Sequence, residues 1–288
     1  MRTVILGSTG IPATATSFGA LPIQRVPTDD AVAILRAARD AGINYFDTAR
    51  AYSDSEEKLG RAFGGDWRGA YIATKSGAKD AAGLRRDLET SLRLLKAERI
   101  DVYQFHNPPF VPLPGGADGL YDAAAAARRA GMIGHIAITQ HSLDRAFEAV
   151  ESGLYEVLQF PLNHLSGERE LELLRLCREK NVGFVAMKAL SGGLVTDARL
   201  PFAFFMGHDN AVPIWGIQRM AELDQFIELE KRPPTLDDAM LQAIEADKRA
   251  LSGAFCRGCG YCLPCPVGIP IHNANRMTQL LTRSPQAQ

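Results

Sequence analysis

The feature that most constrains the fold of this chain is a regular alternation of helical segments with short apolar strands. Four joints between the two kinds of segment resemble one another, namely Ala41-Gly42-Ile43, Ala130-Gly131-Met132, Ser152-Gly153-Leu154 and Asn181-Val182-Gly183. A glycine just past a helix can adopt the left-handed conformation that ends it. Alternation of this kind predicts parallel strands joined by right-handed helical crossovers.

The alternation can be followed over most of the chain. With a first strand near residues 16–19, eight strands are predicted, the others at residues 45–47, 71–74, 102–105, 135–138, 157–160, 183–187 and 211–215. Helices are predicted at residues 28–41, 55–63, 81–96, 120–130, 143–152 and 168–180. Eight such units in 288 residues predict a closed (β/α)8 TIM barrel rather than an open doubly wound sheet.

Three segments do not follow the repeat. Residues 1–20 hold two β-prone pieces around Gly7-Ser8-Thr9-Gly10, and Pro12 favours an N-terminal β-hairpin over a phosphate-binding glycine loop. Residues 189–210 show no clean helical pattern and are interpreted as a long loop over the site. Residues 235–251 predict a final amphipathic helix. We therefore expect a barrel domain at residues 1–252 and a short cysteine-rich segment with a tail at residues 253–288.

Charge and hydrophobicity exclude several kinds of partner. The chain has 32 Lys and Arg against 33 Asp and Glu, so it lacks the basic field that nucleic acid or an anionic membrane would attract. No run approaches the ~20 apolar residues of a membrane span, and the N-terminus does not resemble a secretory signal. These features predict a cytoplasmic protein that acts on small molecules.

Three successive predicted strands finish at an ionisable residue. The strand at residues 45–47 ends in Asp47, and the next two lead into Lys75 and His106. Barrel enzymes place their chemistry at the carboxyl ends of their strands, and Tyr52 follows on the loop after Asp47. Each residue alone would fit an ordinary strand end or loop, but together the four predict a shared active site.

These side chains suit proton donation to a carbonyl group as it receives hydride. A phenol has an ordinary pKa of about 10 and is a slow acid at neutral pH unless its phenolate is stabilised. A Lys75 ammonium would stabilise the phenolate of Tyr52, and Asp47 would hold that ammonium in place. His106 would orient the substrate oxygen. None of the four is a strong nucleophile, so acyl transfer is not expected.

The segment Gly42-x-x-x-Phe46-Asp47-Thr48-Ala49-x-x-Tyr52, followed by Ala73-Thr74-Lys75 and Phe105-His106, resembles the aldo-keto reductase family. The resemblance runs from the hairpin to about residue 230. It implies a (β/α)8 barrel that transfers hydride between NADPH and an aldehyde or ketone. The family's catalytic tetrad falls on Asp47, Tyr52, Lys75 and His106, with Tyr52 as the proton donor.

The same resemblance implies a set of nicotinamide-binding residues. The family's Ser-Asn pair after the fifth strand falls on Thr139 and Gln140, and its glutamine at the sixth strand falls on Gln159. Met187 stands where the family has an aromatic residue that stacks on the nicotinamide.

Phosphate binding is expected on the loops after strands seven and eight, where barrels often bind it. Ser191 and Gly192 lie on the first of these loops. Arg219-x-x-Glu222 on the second resembles the family's Arg-x-x-Glu-Asn segment, although Leu223 replaces the Asn. The lysine that often meets the 2′-phosphate is missing, which reduces the preference for NADP(H) over NAD(H). NADP(H) is still favoured, with NAD(H) as the alternative.

Four of the five cysteines form the run Cys256-x-x-Cys259-x-x-Cys262-x-x-Cys265-Pro266. Zinc sites usually separate two cysteine pairs by a dozen or more residues. The run instead resembles the bacterial ferredoxin pattern, with one residue fewer before the last cysteine. Some aldo-keto reductase relatives carry such a segment, so the resemblance implies a [4Fe–4S] cluster, with zinc or reduced thiols as alternatives. Cys177 is predicted to be a core residue.

The sequence therefore predicts an NAD(P)H-dependent reductase of small carbonyl compounds. An alternative is a nicotinamide-binding redox sensor whose iron–sulfur segment signals to a partner protein. In a third interpretation the cluster only stabilises the C-terminal tail.

Overall fold

The computed structural model describes residues 1–195, 197–250, 265–278 and 281. The chain begins with an antiparallel hairpin of β1 (Thr3–Ile5) and β2 (Pro12–Thr14), the hairpin that Pro12 predicted. Eight parallel strands then form a closed barrel in chain order, and the last strand pairs with the first. These strands are β3 (Ser17–Gly19), β4 (Tyr45–Asp47), β5 (Tyr71–Ser76), β6 (Ile100–His106), β7 (Ile133–Thr139), β8 (Val157–Pro161), β9 (Gly183–Met187) and β10 (Ala211–Gly216).

Helices connect the strands on the outside of the barrel. They are α1 (Thr28–Asp40), α2 (Ser55–Phe63), α3 (Ala81–Leu95), α4 (Leu120–Arg129), α5 (Leu143–Glu151), α6 (Glu168–Glu179), α7 (Arg199–Met206) and α8 (Met220–Lys231). In the described part of the chain after the barrel, the structure has the helices α9 (Asp238–Ala250) and α10 (Ile271–Ala274). Gly42, with a φ of 96°, ends α1 as its place in the sequence predicted. The predicted (β/α)8 barrel is confirmed.

Strand side chains alternate between two apolar layers. Outward residues pack under the helices, as where the Phe46 ring lies 4.9 Å from the Phe63 ring of α2. Inward residues such as Tyr45, Val102 and Val157 fill the barrel together with apolar residues of the hairpin. Because strand side chains alternate with a period of two, Asp47, Gln104 and Gln159 also point inward. They lie one layer nearer the carboxyl end than Tyr45, Val102 and Val157.

Two helices depart from the sequence expectations. The interpretation of residues 189–210 as a long loop is wrong, because α7 lies within it. Its sequence Arg199-Leu-Pro-Phe-Ala-Phe-Phe-Met206 is apolar almost throughout and mostly buried, so it lacks the amphipathic period that marks a surface helix. The sequence patterns also passed over α8, whose buried apolar residues are spaced by three as Leu223, Phe226 and Leu229.

The remaining features concern the C-terminal part of the chain. The final helix predicted at residues 235–251 is present as α9. Within the described ranges, no helix combines the length and the apolar character needed to cross a membrane. Cys256, Cys259 and Cys262 lie outside the described residues, whereas Cys265 is described as a half-buried free thiol.

Candidate active site

The four residues predicted to share a site meet at the carboxyl end of the barrel. Asp47 is the last residue of β4, Lys75 lies near the end of β5, and His106 is the last residue of β6. Tyr52 lies on the loop between β4 and α2. Since neighbouring parallel strands carry the first three, their side chains converge on the same rim of the barrel.

Asp47 and Lys75 form a buried ion pair. Lys75 Nζ donates to Asp47 Oδ1 at 2.6 Å and to the carbonyl oxygen of Thr48, also at 2.6 Å. The side chains are 2% and 0% exposed. Burial raises the pKa of Asp47 above its ordinary value, and the Lys75 ammonium acts in the opposite direction. The pair therefore holds a positive charge in a fixed place at the floor of the site.

Tyr52 lies between this ammonium and His106. Lys75 Nζ is 5.1 Å from the centre of the phenol ring, and the His106 ring packs edge-on against the phenol at a centroid distance of 5.8 Å. Burial raises the pKa of Tyr52, while the charge of Lys75 and a hydrogen bond from it lower that pKa. The net direction is upward, so the phenol is protonated at neutral pH.

His106 is held in its neutral form. Burial, followed by the positive charge of Lys75, lowers its pKa from 6.5 to about 3. A neutral imidazole can donate one hydrogen bond to an oxygen without bringing a second positive charge to the site. A protonated phenol and a neutral imidazole beside a fixed ammonium can bind a carbonyl oxygen and protonate it.

The loop that carries Tyr52 is anchored at both ends. The hydroxyls of Thr48 and Ser55 are 2.8 Å apart, and Ser55 Oγ donates to the carbonyl oxygen of Ala20 at 2.9 Å. In the middle, the backbone N–H of Arg50 donates to the carbonyl oxygen of Lys75 at 3.0 Å. These contacts restrict where the phenol can lie relative to the ammonium.

Glu56, which the sequence analysis passed over, supports the same loop from α2. Its carboxylate is buried, pairs with the Arg50 guanidinium, and accepts hydrogen bonds from Thr74 and Ser91, each at 2.7 Å. It thereby ties the loop to β5 and α3. Its position in the first turn of α2 is an ordinary place for a glutamate, so no sequence signal distinguishes it.

The predicted nicotinamide residues Thr139 and Gln159 lie inside the barrel mouth and are buried. Gln159 Nε2 is 3.5 Å from Asp47 Oδ1, and Thr139 Oγ1 donates to Gln104 Oε1 at 2.9 Å. Gln159 thus lies within reach of the ion pair, and Thr139 is connected to it through Gln104. Gln104 completes this group of side chains and was missed by the sequence analysis.

Gln140 has an orphaned atom at the same end of the barrel. Its Nε2 donates to the carbonyl oxygen of Pro108 at 3.0 Å. Its Oε1 is buried and has no hydrogen-bond partner among the residues that the structure describes. A buried amide oxygen without a donor is costly, and this atom can accept a hydrogen bond from an N–H group.

The predicted phosphate-binding residues occupy the two expected loops. Ser191 and Gly192 form a short 3-10 turn after β9, and Arg276 from the C-terminal segment donates to the carbonyl oxygen of Gly192 at 3.0 Å. Arg219 precedes α8 and pairs with Glu222 at 2.6 Å. Arg219 also lines a cleft of about 650 Å³ between the start of α1 and the start of α8. The contacts with Glu222 fix the orientation of the guanidinium.

Two further residues at the mouth were not among the predicted site residues. Lys188 Nζ lies 3.5 Å from His141 Nδ1. Burial and then the Lys188 charge lower the pKa of His141 to about 4. An imidazole kept neutral in this way can accept from the ammonium.

The cysteines separate into two groups. Cys177 is fully buried in the outer apolar layer, as predicted, and burial raises the pKa of its thiol to about 12. Over the described ranges, no group of His, Cys, Asp and Glu side chains is arranged to hold a metal ion. The predicted cluster ligands Cys256, Cys259 and Cys262 lie outside those ranges.

Solved structures share the fold. The aldo-keto reductase AKR11C1 of Bacillus halodurans superposes with a TM-score of 0.74 at 19% identity, over 85% of this chain and 96% of that chain. At that identity the likeness shows the fold alone. A putative aldo-keto reductase of Pseudomonas aeruginosa, PA4992, has a TM-score of 0.68 at 25% identity and covers 79% of this chain and 96% of that one.

Sequence comparisons show the family to which the chain belongs. L-galactose dehydrogenase of Arabidopsis thaliana is 30% identical over 215 residues, or 68% of this chain and 67% of that protein. Aldo-keto reductase YhdN of Bacillus subtilis is 30% identical over 234 residues, or 73% and 68%. The model of the aldo/keto reductase family matches residues 13–211. The chain belongs to the aldo/keto reductase family of NAD(P)H-dependent oxidoreductases.

Proposed function

We propose that this enzyme reduces a small aldehyde or ketone with NADPH, and that Tyr52 gives the proton to the carbonyl oxygen. The observation that carries the proposal is the protonated phenol between the Lys75 ammonium and the neutral imidazole of His106. As the carbonyl carbon accepts hydride, the electron pair of the C=O π bond moves to the oxygen, which needs a proton and electrostatic stabilisation at the same place.

The residues at the barrel mouth fit a nicotinamide ring. The orphaned Oε1 of Gln140 suits an N–H of the ring's carboxamide, and Thr139 and Gln159 lie beside it. When bound, NADPH supplies the hydride. An aldo/keto reductase from Klebsiella pneumoniae with the same fold was solved in complex with NADP and acetate. At 19% identity, its similarity to this chain supports the fold alone.

Ser191, Gly192, Arg219 and Glu222 are proposed to hold the phosphate and adenosine end of the cofactor. Within the 3-10 turn, the N–H groups of Ser191 and Gly193 donate to backbone carbonyl oxygens, so the Ser191 hydroxyl and the N–H of Gly192 would meet the pyrophosphate. The Arg219 guanidinium would meet the adenosine end. Glu222 keeps that guanidinium in place. NADP(H) is preferred over NAD(H) in this proposal.

Each catalytic side chain has one task in the proposed reaction. His106 donates a hydrogen bond that directs the carbonyl oxygen toward Tyr52. Tyr52 transfers its proton, and the Lys75 ammonium stabilises the phenolate that remains. Asp47 holds the ammonium, and the anchored loop keeps the phenol above it.

The test measures NADPH oxidation against a panel of aldehydes and ketones. Replacing Tyr52 with Phe should lower kcat by ~10²–10⁴, the usual contribution of a positioned proton donor, with little change in NADPH affinity. Tyr121→Phe is the matched control, because that hydroxyl donates to Leu154 O on the outer surface at 3.2 Å. Near wild-type turnover in Tyr52→Phe would show that another group donates the proton.

We further propose that Cys256, Cys259, Cys262 and Cys265 bind a [4Fe–4S] cluster. The support is the spacing of the four thiols and the Cys-Pro ending. Only Cys265 lies within the described residues, where it is a half-buried free thiol. Iron–sulfur ligands of this kind stay reduced in the cytoplasm, where we place the protein.

Anaerobic purification with an absorption spectrum and assays of iron and sulfide tests the cluster. Brown protein that loses its iron in Cys259→Ser but keeps it in Cys177→Ala would support the proposal. A colourless, zinc-loaded protein would refute it. NADPH binding without turnover of any carbonyl compound would instead favour a redox sensor that signals to a partner protein.

A further inference from the structure

Gln104 is a fully buried amide in the middle of β6, and the reaction outlined above gives it no task. Its Nε2 donates to Asp47 Oδ2 at 3.0 Å, and its Oε1 accepts from Thr139 Oγ1 at 2.9 Å. Neither contact is local, because Gln104 is separated from Asp47 by 57 residues and from Thr139 by 35. It therefore bridges the ion pair and the residues beside Gln140.

The donor on Oδ2 matters because the two oxygens of Asp47 have different partners. Oδ1 accepts from Lys75 and Oδ2 from Gln104, so the plane of the carboxylate is fixed. Without the amide, a buried carboxylate would lose one of its few donors. It would then rotate away from Lys75 or take up a proton, since burial penalises its charged form.

Thr139 determines which way the amide faces. A hydroxyl has a single hydrogen. Thr139 Oγ1 lies 2.9 Å from Gln104 Oε1 and 3.5 Å from Gln159 Oε1, so the hydrogen goes to the nearer acceptor, Gln104. A flipped amide would turn its oxygen toward the carboxylate and leave the hydroxyl facing an N–H₂ group. With its hydrogen committed, Thr139 can offer only lone pairs to a ligand, and these suit the N–H of a carboxamide.

We propose that Gln104 is a positioning residue that orients Asp47 on Lys75 and links this ion pair, through Thr139, to the nicotinamide end of the cofactor pocket. The proposal rests on the proposed carbonyl reduction. It adds to the tetrad a buried amide that acts on the proton donor Tyr52 through Asp47 and Lys75.

The first test compares Gln104→Met with Tyr103→Phe. The methionine keeps the size of the side chain but removes the donor to Asp47. The phenylalanine removes a buried hydrogen bond, Tyr103 Oη to Leu84 O at 3.3 Å, from the outward face of the same strand. The acid limb of the pH profile of kcat should move upward by about one pH unit in Gln104→Met, and kcat at pH 7 should fall ~10-fold. NADPH affinity should fall less than kcat, because Thr139 keeps its hydroxyl and loses only the acceptor that orients it. An unmoved acid limb would overturn the proposal.

A second measurement does not depend on activity. When the folded pKa of a carboxyl such as that of Asp47 is raised above its unfolded value, the protein loses folding stability as the pH rises through the folded pKa. Gln104→Met should therefore lose more unfolding stability relative to wild type at pH 7 than near pH 4.5, whereas Tyr103→Phe should lose the same at both. Equal losses in Gln104→Met would overturn the role of Gln104. Absence of turnover by the wild-type enzyme would count against the proposed function alone.

Thr139→Val keeps the test decisive if Gln104→Met does not fold. The valine removes the hydroxyl but leaves Gln104 and Asp47 in place. Loss of the amide's fixed orientation should move the acid limb in the same direction by a smaller amount, and Thr139→Ser should restore it. Identical acid limbs in the valine and serine variants would contradict the link through Thr139.

Discussion

Asp47 and Lys75 show how single residues define this site. Each is charged and almost fully buried. Lys75 Nζ donates a hydrogen bond to Asp47 Oδ1 at 2.6 Å. A buried ion pair contributes little to stability compared with apolar residues of the same size, but removing one member leaves an uncompensated charge. Such a pair fits a catalytic task better than a structural one.

Lys75→Met should therefore abolish turnover and also weaken the fold. The expected loss of unfolding free energy is roughly 3 kcal/mol, because Asp47 is left buried without its cation. Urea unfolding measures this loss. The double variant Asp47→Leu with Lys75→Met should recover most of the stability and none of the activity. Stability that is unchanged in the single variant would show that the pair is not buried in solution.

His106 gives a prediction for pH dependence. Its pKa is about 3 in the folded protein, below the ordinary value of 6.5. The folded state thus binds fewer protons, so stability is complete above pH 6.5 and is lost as the pH falls toward 3. Unfolding free energy should drop by up to roughly 1.4 kcal/mol per pH unit between about pH 6 and pH 4 through this residue. His106→Phe should flatten the curve, measured by urea unfolding at each pH. A slope identical to wild type would contradict a depressed pKa.

At the scale of elements, the loop between β4 and α2 depends on the helix that follows it. Glu56, at the start of α2, holds Arg50 of the loop, Thr74 of β5 and Ser91 of α3. A position that connects three elements determines where the loop places Tyr52. We therefore expect a residue with no contact to substrate to affect kcat.

Glu56→Gln keeps the acceptor for Thr74 and Ser91 but turns an N–H₂ group toward the Arg50 guanidinium. This should cost about 1–3 kcal/mol of stability and lower kcat several-fold. Glu57→Gln is the matched control, because Glu57 forms an exposed pair with Arg61 that is worth less than ~1 kcal/mol. Thermal unfolding and steady-state kinetics measure both effects. Equal changes in stability and kcat in the two variants would contradict this role of Glu56.

For the whole molecule, the two ends of the barrel divide stability from chemistry. The hairpin of β1 and β2 packs on the amino end, where Gly7 forms an antiparallel bridge with Val182. The reactive side chains lie at the carboxyl end. Substitutions at the hairpin should therefore change stability without changing the chemistry of the folded enzyme.

Gly7→Ala tests this division. Gly7 has a φ of 53°, and an added Cβ would lie 2.2 Å from the backbone nitrogen of Gly183. The variant should lose at least about 2 kcal/mol of unfolding free energy, while kcat per folded molecule stays constant. Gly10→Ala is the control, since Gly10 has a φ of 71° but nothing near the added Cβ, and it should lose only about 1 kcal/mol. A fall in kcat in Gly7→Ala would show that the hairpin influences the site.

The sequence alone determined the order of the strands and of the helices up to α6, the barrel, and the positions of Asp47, Tyr52, Lys75 and His106. These features depend on local patterns. The two-residue period of strands, the glycine after a helix and the polar residue at a strand's end can each be recognised without knowing what lies nearby. Once eight parallel strands are expected, their carboxyl ends must share one rim, so the site follows from the pattern.

Only the tertiary structure decided the remainder. The contact of Gln104 with Asp47 joins residues 57 positions apart, and the buried role of Glu56 depends on how α2, α3 and β5 pack. A lone amide or carboxylate in a sequence does not indicate which distant group it will meet, because that depends on how the strands are staggered when the barrel closes. The uniformly apolar α7 was not predicted for a related reason. A helix that is buried on all sides lacks the amphipathic period that marks a surface helix.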